Sequence, residues 1–394
     1  MMKKLYSGIV ILSSFVMFAC GEKQTNSKKG LPYIIDFEEC ISEARNIKIS
    51  DIADSIELVE LKTPEELPVS VIWKFMPVDN YWFIHAREGI FKFTDKGEFI
   101  NQFGRRGQGP GEYTAVYEVS VNKHRKELLI NTVGRLLYYD WDGNFLRSEK
   151  KGLPMLASDF SDSILWGAEW GRNTDKYILY GLNEQWDTVH TVTNPFYNMI
   201  SQDGGLGAVM MELGKSFYHY QDALYLNGPL DNDTIYQLKG DNCIPYAVFN
   251  MGKYKLPLEY MIWYNREANL KHASNYWAIP LISESERYLF VKAQRQARDE
   301  DGYRYIMYDK QNREGFLVNE EKDQTITDDI LDGPDIWPIW TTDTHYVGMV
   351  NPYTYQEEIK DKNLQLSSQL QKVIDTWNHD TNVILMLCRK KKIN

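Results

Sequence analysis

The sequence predicts an all-β protein built as a six-bladed β-propeller, and three observations lead to this fold class. First, residues 89–100 and 135–146 resemble each other, each reading as a strand, a turn and a strand, and they are offset by 46 residues. That period is typical of four-stranded propeller blades. Second, the chain contains 11 Trp, 26 Tyr and 16 Phe, a composition that favours strands. Third, an apolar strand near the C-terminus can close a ring of blades.

Two blades follow from the strand and turn pattern between residues 71 and 148. Asp79-Asn80 and residues 95–97 supply turns in the first blade, and Val133-Gly134 supplies one in the second. The predicted strands of the first blade are 71–78, 81–85, 89–93 and 98–103, and those of the second are 118–122, 127–132, 135–140 and 144–148.

Four more blades have looser patterns, in which one apolar or aromatic strand anchors each blade. The sixth has too few strands of its own and needs strands from elsewhere in the chain. The predicted ranges are 156–193 for the third blade, 216–249 for the fourth, 276–318 for the fifth and 336–350 for the sixth.

Both ends of the chain are predicted to complete the sixth blade. Apolar residues recur at helical spacing over about 354–378, which predicts a C-terminal helix. An apolar strand at about 382–389 follows it and is expected to pair with a strand at 55–62. Such pairing by N- and C-terminal strands closes the ring and removes exposed sheet edges. Residues 33–394 are therefore interpreted as a single propeller domain.

The N-terminus has the features of an export signal. Lys3 and Lys4 precede a short apolar run that ends at Cys20, so residues 1–19 are interpreted as a signal peptide. A small residue before the cysteine is typical of a bacterial lipobox, which predicts lipidation of Cys20. Residues 20–32 are polar and would form a lipidated tether to the outer membrane. The alternative is an ordinary secretory signal with an incidental cysteine, and the side of the membrane that the protein faces stays open.

The charge of the chain limits its partners. The formal net charge is −11, which argues against nucleic acid, because nucleic-acid binding requires a basic face. It also argues against adsorption to an anionic membrane, so the lipid would have to provide the anchor. The three cysteines after Cys20 are Cys40, Cys243 and Cys388. They allow at most one disulfide, and burial as three free thiols is the simpler interpretation.

The chain resembles the six-bladed β-propeller lipoproteins of diderm bacteria, which are related to NHL-repeat propellers. The residues that carry the resemblance are the strand at 55–62, the hairpin at 95–99, the loop at 104–113 and the terminal strand after a helix. It extends over nearly all of the mature chain and is most specific in the first two blades. The resemblance implies the fold and the export route, but no particular reaction.

The loop at 104–113, Gly-Arg-Arg-Gly-Gln-Gly-Pro-Gly-Glu-Tyr, is the first candidate binding site. It should join the outer strand of one blade to the inner strand of the next, near the mouth of the channel. Its glycines allow positive φ, and Arg105 and Arg106 can contact a carboxylate, sulfate or phosphate. The alternative is a tight crossover between blades whose arginines pair with acids of a neighbouring blade.

Clustered tryptophans in the less regular segments are a second group of candidates. Exposed indole rings near acids and arginines can stack on sugar faces or hold peptides. Packing between blades is the competing interpretation, because propellers use tryptophan heavily in their cores. The candidate ligand contacts are Trp166, Trp170, Trp337 and Trp340.

Several motifs of other functions are absent or incomplete. Gly214-Lys215-Ser216 lacks the upstream glycine of a phosphate-binding loop, since Val209 stands there, so no nucleotide is expected. The seven histidines show no metal-binding helix spacing, and the acidic turns at 231–233 and 299–302 lack a complete calcium loop. No catalytic residue and no cofactor is therefore predicted.

The sequence favours a non-catalytic lipoprotein of the cell envelope. It would bind a glycan, a peptide or an envelope protein through the propeller loops and channel. The alternative is a propeller enzyme, of the lyase or lactonase type, that uses channel acids and histidines around a divalent cation. The two differ in whether acids and histidines converge in the channel, and the sequence shows no such constellation.

Cys20→Ser is expected to abolish lipid attachment, because the thiol carries the predicted diacylglyceryl group. Cells supplied with an alkyne-tagged palmitate should label the wild-type chain and not the variant, and membrane association should be lost with the label. Cys40→Ser is the matched control and should keep the label. Labelling of Cys20→Ser, or an unlabelled wild-type chain, would contradict the prediction.

Overall fold

Six sheets, mainly antiparallel, form a ring in the described part of the chain, which confirms the predicted all-β six-bladed propeller. The computed structural model describes residues 30–150, 155, 157–168, 175–194, 197, 217–227, 233–240, 242–257, 275–295, 302–319, 325–378 and 381–392. Residue contacts divide the chain into two units, Met1–Leu31 and Pro32–Asn394, and the sheets belong to the second. The predicted signal peptide and Cys20 lie outside the described residues.

A segment of short elements precedes the first blade. Asp36 ends the first strand and caps the helix that follows, since its carboxylate accepts a 3.0 Å hydrogen bond from the N–H of Glu39. The elements are β1 (Tyr33–Asp36), α1 (Phe37–Ser42), β2 (Ala44–Arg45), α2 (Ile49–Ile52) and β3 (Ala53–Glu60).

Blades 1 to 3 are four-stranded meanders whose first strand lies nearest the ring axis. The predicted turns are present, and Asp79 adopts a φ of 53° between the first two strands, a conformation that Asp tolerates better than most residues. Blade 1 contains β4 (Ile72–Val78), β5 (Tyr81–Ala86), β6 (Ile90–Thr94) and β7 (Phe99–Gln102). Blade 2 contains β8 (Val116–Asn122), β9 (Glu127–Thr132), β10 (Arg135–Asp140) and β11 (Phe145–Lys150). Blade 3 contains β12 (Ala157–Ser161), β13 (Ile164–Ala168), β14 (Tyr177–Leu182) and β15 (Thr188–Thr193).

Blades 4 and 5 each gain a fifth strand from the N-terminal segment, which the sequence did not indicate. Strand β1 pairs in parallel with β19, and β2 pairs in parallel with β23. The outer edges of both blades are thereby covered. Blade 4 contains β16 (Phe217–Tyr220), β17 (Ala223–Asn227), β18 (Thr234–Lys239) and β19 (Asn242–Asn250), followed by a 3₁₀ turn (Gly252–Tyr254). Blade 5 contains β20 (Trp277–Glu284), β21 (Tyr288–Arg295), β22 (Tyr303–Asp309) and β23 (Glu314–Val318).

Blade 6 joins the two ends of the chain, as predicted. It contains β24 (Trp340–Thr341), β25 (His345–Val350) and β26 (Ile384–Lys390), with β3 as its outer strand. Strand β26 lies between β25 and β3, so that Met386 is opposite Gly348 on one side and Leu58 on the other. Asn382 extends this closure, because its amide group donates to the Leu61 carbonyl and accepts from the N–H of Val69, both at 2.7 Å.

Two helices cover one side of blade 6 where a single helix over about 354–378 was predicted. They are α3 (Pro352–Asp361) and α4 (Ser368–Ile374). Ser367 ends the stretch between them, since its hydroxyl accepts from the N–H of Leu370 and starts a new helix. Tyr355 and Ile374 pack into the apolar cluster between blades 5 and 6.

The core consists of the interfaces between blades. The buried apolar residues that the structure describes form six clusters, one at each contact between neighbouring blades. Cys40 and Cys388 are buried in two of them, and Cys243 is half-buried; all three are free thiols. Burial raises the pKa of the Cys40 and Cys388 thiols to about 12. Over the residues described, no helix has the length and apolar character to cross a membrane.

Leu385→Ala is expected to destabilise the protein strongly, because Leu385 is fully buried between blades 6 and 1 on the closing strand. The loss should be about 2–5 kcal/mol in the free energy of unfolding, measured by urea denaturation. Met349→Ala is the control on the neighbouring strand, where the side chain is exposed, and it should change stability by only about 0.5 kcal/mol. Equal small losses would show that the closing strand contributes little to stability.

Candidate functional site

The central channel is a cavity of about 2100 Å³. Its wall is formed by the inner strands of all six blades, β4, β8, β12, β16, β20 and β24. The lining continues over the turns that follow these strands, including Asp79, Lys123, Asp162 and Asp343, so the channel opens on that face of the ring. Small-molecule sites are usually about 300–1,000 Å³, and this space is large enough for an extended ligand.

Two β-bulges at equivalent positions turn aromatic rings toward the channel. The pairing of β4 with β5 shifts between Ile72 and Lys74, and the pairing of β8 with β9 shifts between Val116 and Glu118. Trp73 and Tyr117 are the extra residues of these bulges, and they are 41% and 45% exposed. Both line the cavity. Because bulges re-aim side chains, the inner strands of blades 1 and 2 present an aromatic face that a regular strand would not.

A chain of charged side chains crosses the inner strands of blades 1 to 4. The Nζ atom of Lys74 lies 3.1 Å from an Oε1 atom of Glu118 and 2.9 Å from Oδ2 of Asp159. The Oδ1 atom of Asp159 lies 3.4 Å from Nε2 of His219. Asp159 is buried, Lys74 and Glu118 are mostly buried, and the imidazole of His219 is half exposed to the channel. Side chains from four different blades thus form one polar network.

The protonation of this network follows from burial and its single lysine. Burial disfavours a charged Lys74, but Asp159 and Glu118 outweigh that effect and raise its pKa. Burial likewise opposes ionisation of Asp159, but Lys74 and His219 lower its pKa well below the usual range. Burial raises the pKa of Glu118, which Lys74 offsets only in part. The wall therefore contains an ionised Asp159 next to the carboxyl of Glu118, whose negative charge Lys74 compensates only in part.

A second buried cluster joins blades 4, 5 and 6. Glu284 accepts hydrogen bonds from Lys310 at 2.6 Å, from the Tyr218 hydroxyl at 2.9 Å and from the Tyr246 hydroxyl. Its backbone carbonyl accepts from the hydroxyl of Thr341. Burial raises the pKa of Glu284 and lowers that of Lys310. Polar contacts between inner strands therefore continue around most of the ring.

The loop at 104–113 contains its own anion. The Nε atom of Arg105 contacts Oε1 of Glu112 at 2.7 Å, and the N–H of Gly109 donates to Oε2 of Glu112 at 2.8 Å. Gly104 and Gly111 have φ of 58° and 73°, and a Cβ atom at Gly111 would lie 2.8 Å from the Phe145 ring. The glycines therefore serve close packing of the loop.

The loop is not part of the channel wall, although its position near the channel mouth was expected. None of its residues is among those that line the cavity. Arg106 donates to the backbone carbonyl of Arg87 at 3.4 Å. The anion contact of Arg105 and Arg106 stays a prediction, but the carboxylate that Arg105 meets in the structure comes from the same loop.

The candidate tryptophans have different surroundings. Trp166 is fully buried in the cluster between blades 3 and 4, so its predicted ligand contact is corrected to a core role. The Trp337 ring packs against Phe290 and Tyr305. Trp340 lines the channel, with its ring centre 5.6 Å from that of Phe75. Trp170 lies outside the described residues.

The channel residues that matter most were missed from the sequence. Trp73-Lys74 and Tyr117-Glu118 are aromatic–charged pairs 44 residues apart at the starts of two inner strands. Comparing equivalent positions of the two blades would have shown them. Asp159 and His219 carry no such repeat signal. Within the described ranges, no group of three or more His, Cys, Asp or Glu side chains is arranged to hold a metal ion.

Comparisons with known proteins agree with the fold. A family model described as a domain of unknown function, DUF4934, matches residues 32–389. A crystal structure of a Bacteroides fragilis protein described as exported is similar, with a TM-score of 0.70 and 18% identity, over 92% of this chain and 100% of that chain. A member of the DUF4221 family from Bacteroides vulgatus has a TM-score of 0.49 and 10% identity, over 86% of this chain and 98% of that chain. No curated protein matches the sequence.

Lys74→Met is expected to destabilise the protein by about 3–5 kcal/mol near neutral pH, because it leaves the buried Asp159 without its cation. The loss should shrink as the pH falls. In the wild type, the pKa of Asp159 is lower in the folded than in the unfolded protein, so its stabilising contribution is lost as the pH falls below the unfolded pKa. In the variant, the carboxyls of Asp159 and Glu118 lack a lysine, so they take up protons more readily in the folded than in the unfolded chain, and acid favours the folded variant. Urea denaturation at several pH values measures both effects.

Lys123→Met is the control for this prediction. Lys123 lies 3.8 Å from Asp222, and both side chains are exposed at the channel rim. Its loss should cost no more than about 1 kcal/mol. A Lys74→Met protein as stable as this control would mean that the network is not electrostatically coupled.

Proposed function

We propose a function from the premise that the chain belongs to the DUF4934 family of domains of unknown function, whose model matches residues 32–389. The protein is a lipid-anchored binding protein of the cell envelope, and it holds an extended ligand, a glycan or a peptide, in the central channel. The signal peptide would direct the chain to the cell envelope, and the lipid on Cys20 would anchor it in the outer membrane. The likeness to an exported Bacteroides protein supports the fold on which this proposal depends.

The observation that carries the proposal is the channel wall. Its volume of about 2100 Å³ exceeds what one small molecule needs. Exposed aromatic rings of Trp73 and Tyr117 alternate along the wall with the polar groups of Lys74, Glu118 and His219. Flat apolar surfaces beside hydrogen-bonding groups suit sugar rings and peptide side chains alike. An envelope protein partner is the weaker option, because it would use outer loops, and the described residues of those loops form no comparable site.

One observation favours the enzyme alternative. Buried Asp159 lies beside the half-exposed imidazole of His219 at 3.4 Å, and a carboxylate that orients a histidine is a common arrangement for general acid–base catalysis. Lys74 already neutralises Asp159 at 2.9 Å, which weakens the effect of that carboxylate on the imidazole. Binding without turnover is therefore the function that we propose.

The Trp73→Ala/Tyr117→Ala variant is expected to lose ligand binding while remaining folded. The mature chain in detergent would be tested on arrays of defined oligosaccharides and unstructured peptides, and each probe that binds would be measured by calorimetry. Two lost ring contacts should weaken affinity by about 1–3 kcal/mol, or roughly tenfold or more. The measurement is the ratio of dissociation constants between wild type and variant.

Tyr353→Ala is the matched control, because Tyr353 is 69% exposed on α3, away from the cavity lining. Its affinity should equal that of the wild type. The proposal fails if bound probes are insensitive to the channel variant. Conversion of a bound probe to a new product, followed by mass spectrometry, would instead establish the enzyme alternative.

A further inference from the structure

The charged network of the channel contains more negative than positive charge. Asp159 and Glu118 contribute two carboxylates, Lys74 contributes one ammonium group, and His219 adds charge only when protonated. With a neutral imidazole, the cluster has one uncompensated negative charge at a mostly buried position. A ligand that brings a positive charge to this point would gain from it.

The two carboxylate oxygens of Glu118 have different contacts. Lys74 and the N–H of Val119 both contact Oε1 of Glu118, at 3.1 Å and 3.0 Å. Over the residues described, no hydrogen bond reaches the other carboxylate oxygen, Oε2. Glu118 lines the cavity, and its side chain retains 16% exposure. One acceptor of a mostly buried carboxylate is thus accessible from the channel.

The pKa of Glu118 is raised, as expected for a carboxyl whose negative charge is not fully compensated. Burial raises the pKa of its carboxyl, Lys74 lowers it, and the nearby Asp159 raises it again. Lys74 contacts both acids, and after pairing with Asp159 its single charge compensates Glu118 only in part. A donor that bears its own positive charge would complete the network, as charge-assisted hydrogen bonds are the stronger kind.

Aromatic rings adjoin the charged residues along both inner strands. Tyr117 precedes Glu118, Trp73 precedes Lys74, and both rings are exposed to the cavity because of the bulges. Aromatic faces attract ammonium groups and stack on the C–H faces of sugar rings. A hexosamine with a free amine combines these two properties in one ring.

We propose that the channel recognises saccharides that carry a protonated amine, which donates to Oε2 of Glu118 while the sugar ring packs on Tyr117 or Trp73. The inference rests on the proposed binding function and specifies its ligand class. Peptide amines share the charge but lack the flat ring face beside it.

The test compares two tetrasaccharides with the same linkage, one with free amines and one with acetylated amines. They are the β-1,4-linked tetramers of glucosamine and of N-acetylglucosamine, titrated into the mature chain in detergent at near-neutral pH and low salt. The glucosamine tetramer should bind about tenfold more tightly, as expected for one charge-assisted hydrogen bond. In Glu118→Gln this preference should disappear, so that the ratio of the two dissociation constants falls to about one, and circular dichroism and urea denaturation should show that the variant remains folded.

Asp162→Asn is the matched control. Asp162 is an exposed acid at the channel rim with a φ of 52°, a conformation that Asn also accepts. This variant should keep the roughly tenfold preference. A preference that survives in Glu118→Gln would overturn the assignment of Oε2, and so would its loss in Asp162→Asn.

The remaining outcomes distinguish failure of amine recognition from failure of the proposed binding function. Equal binding of both tetramers, sensitive to Trp73→Ala/Tyr117→Ala, would refute the amine and leave the channel as a saccharide site. Tighter binding of tetralysine than of the glucosamine tetramer would refute the saccharide in favour of a peptide. If neither tetramer nor tetralysine binds and the arrays also give no ligand, the amine inference and the proposed function fail together.

Discussion

The pairing of β26 with β3 is the constraint on which the rest of the molecule depends. Strand β26 lies near the C-terminus and β3 near the N-terminus, and their backbone hydrogen bonds turn a row of sheets into a ring. Closure gives every blade two neighbours, and each of the six apolar clusters lies at one such contact. It also surrounds the axis with six inner strands, so the channel is a consequence of closure.

The first residues of the domain add to this constraint. Strands β1 and β2 pair with the outer strands of blades 4 and 5 before β3 enters blade 6. One continuous segment therefore joins three successive blades along their outer edges. On the inner side, Lys74 contacts Glu118 and Asp159 of blades 2 and 3, and Glu284 accepts hydrogen bonds from Tyr218 and Tyr246 of blade 4. The ring is stabilised by backbone pairing outside, apolar packing between blades and polar contacts along the channel.

These polar contacts have a cost that points toward function. Burying carboxylates and lysines in a channel wall is expensive, and apolar residues of similar size often stabilise a fold as well or better. The wall nevertheless places Lys74 between two acids and leaves an oxygen of Glu118 accessible. The bulges at Trp73 and Tyr117 likewise sacrifice regular pairing and expose aromatic surface. Features that weaken a scaffold but concentrate binding groups in one cavity are characteristic of ligand sites.

The sequence by itself determined the blades, because strand alternation, turn residues such as Asp79 and a repeat of 46 residues are local properties. It also predicted the closing strand, because the apolar run near the C-terminus was expected to pair with the strand near the N-terminus. It could not determine that Trp166 is core while Trp73 faces the channel, since a one-residue bulge reverses which side of a strand a ring faces. Nor could it predict the network, because Lys74, Asp159 and His219 lie in different blades and meet only when the ring closes. Only the tertiary structure decided these contacts, for the physical reason that their distances depend on how whole sheets pack around an axis.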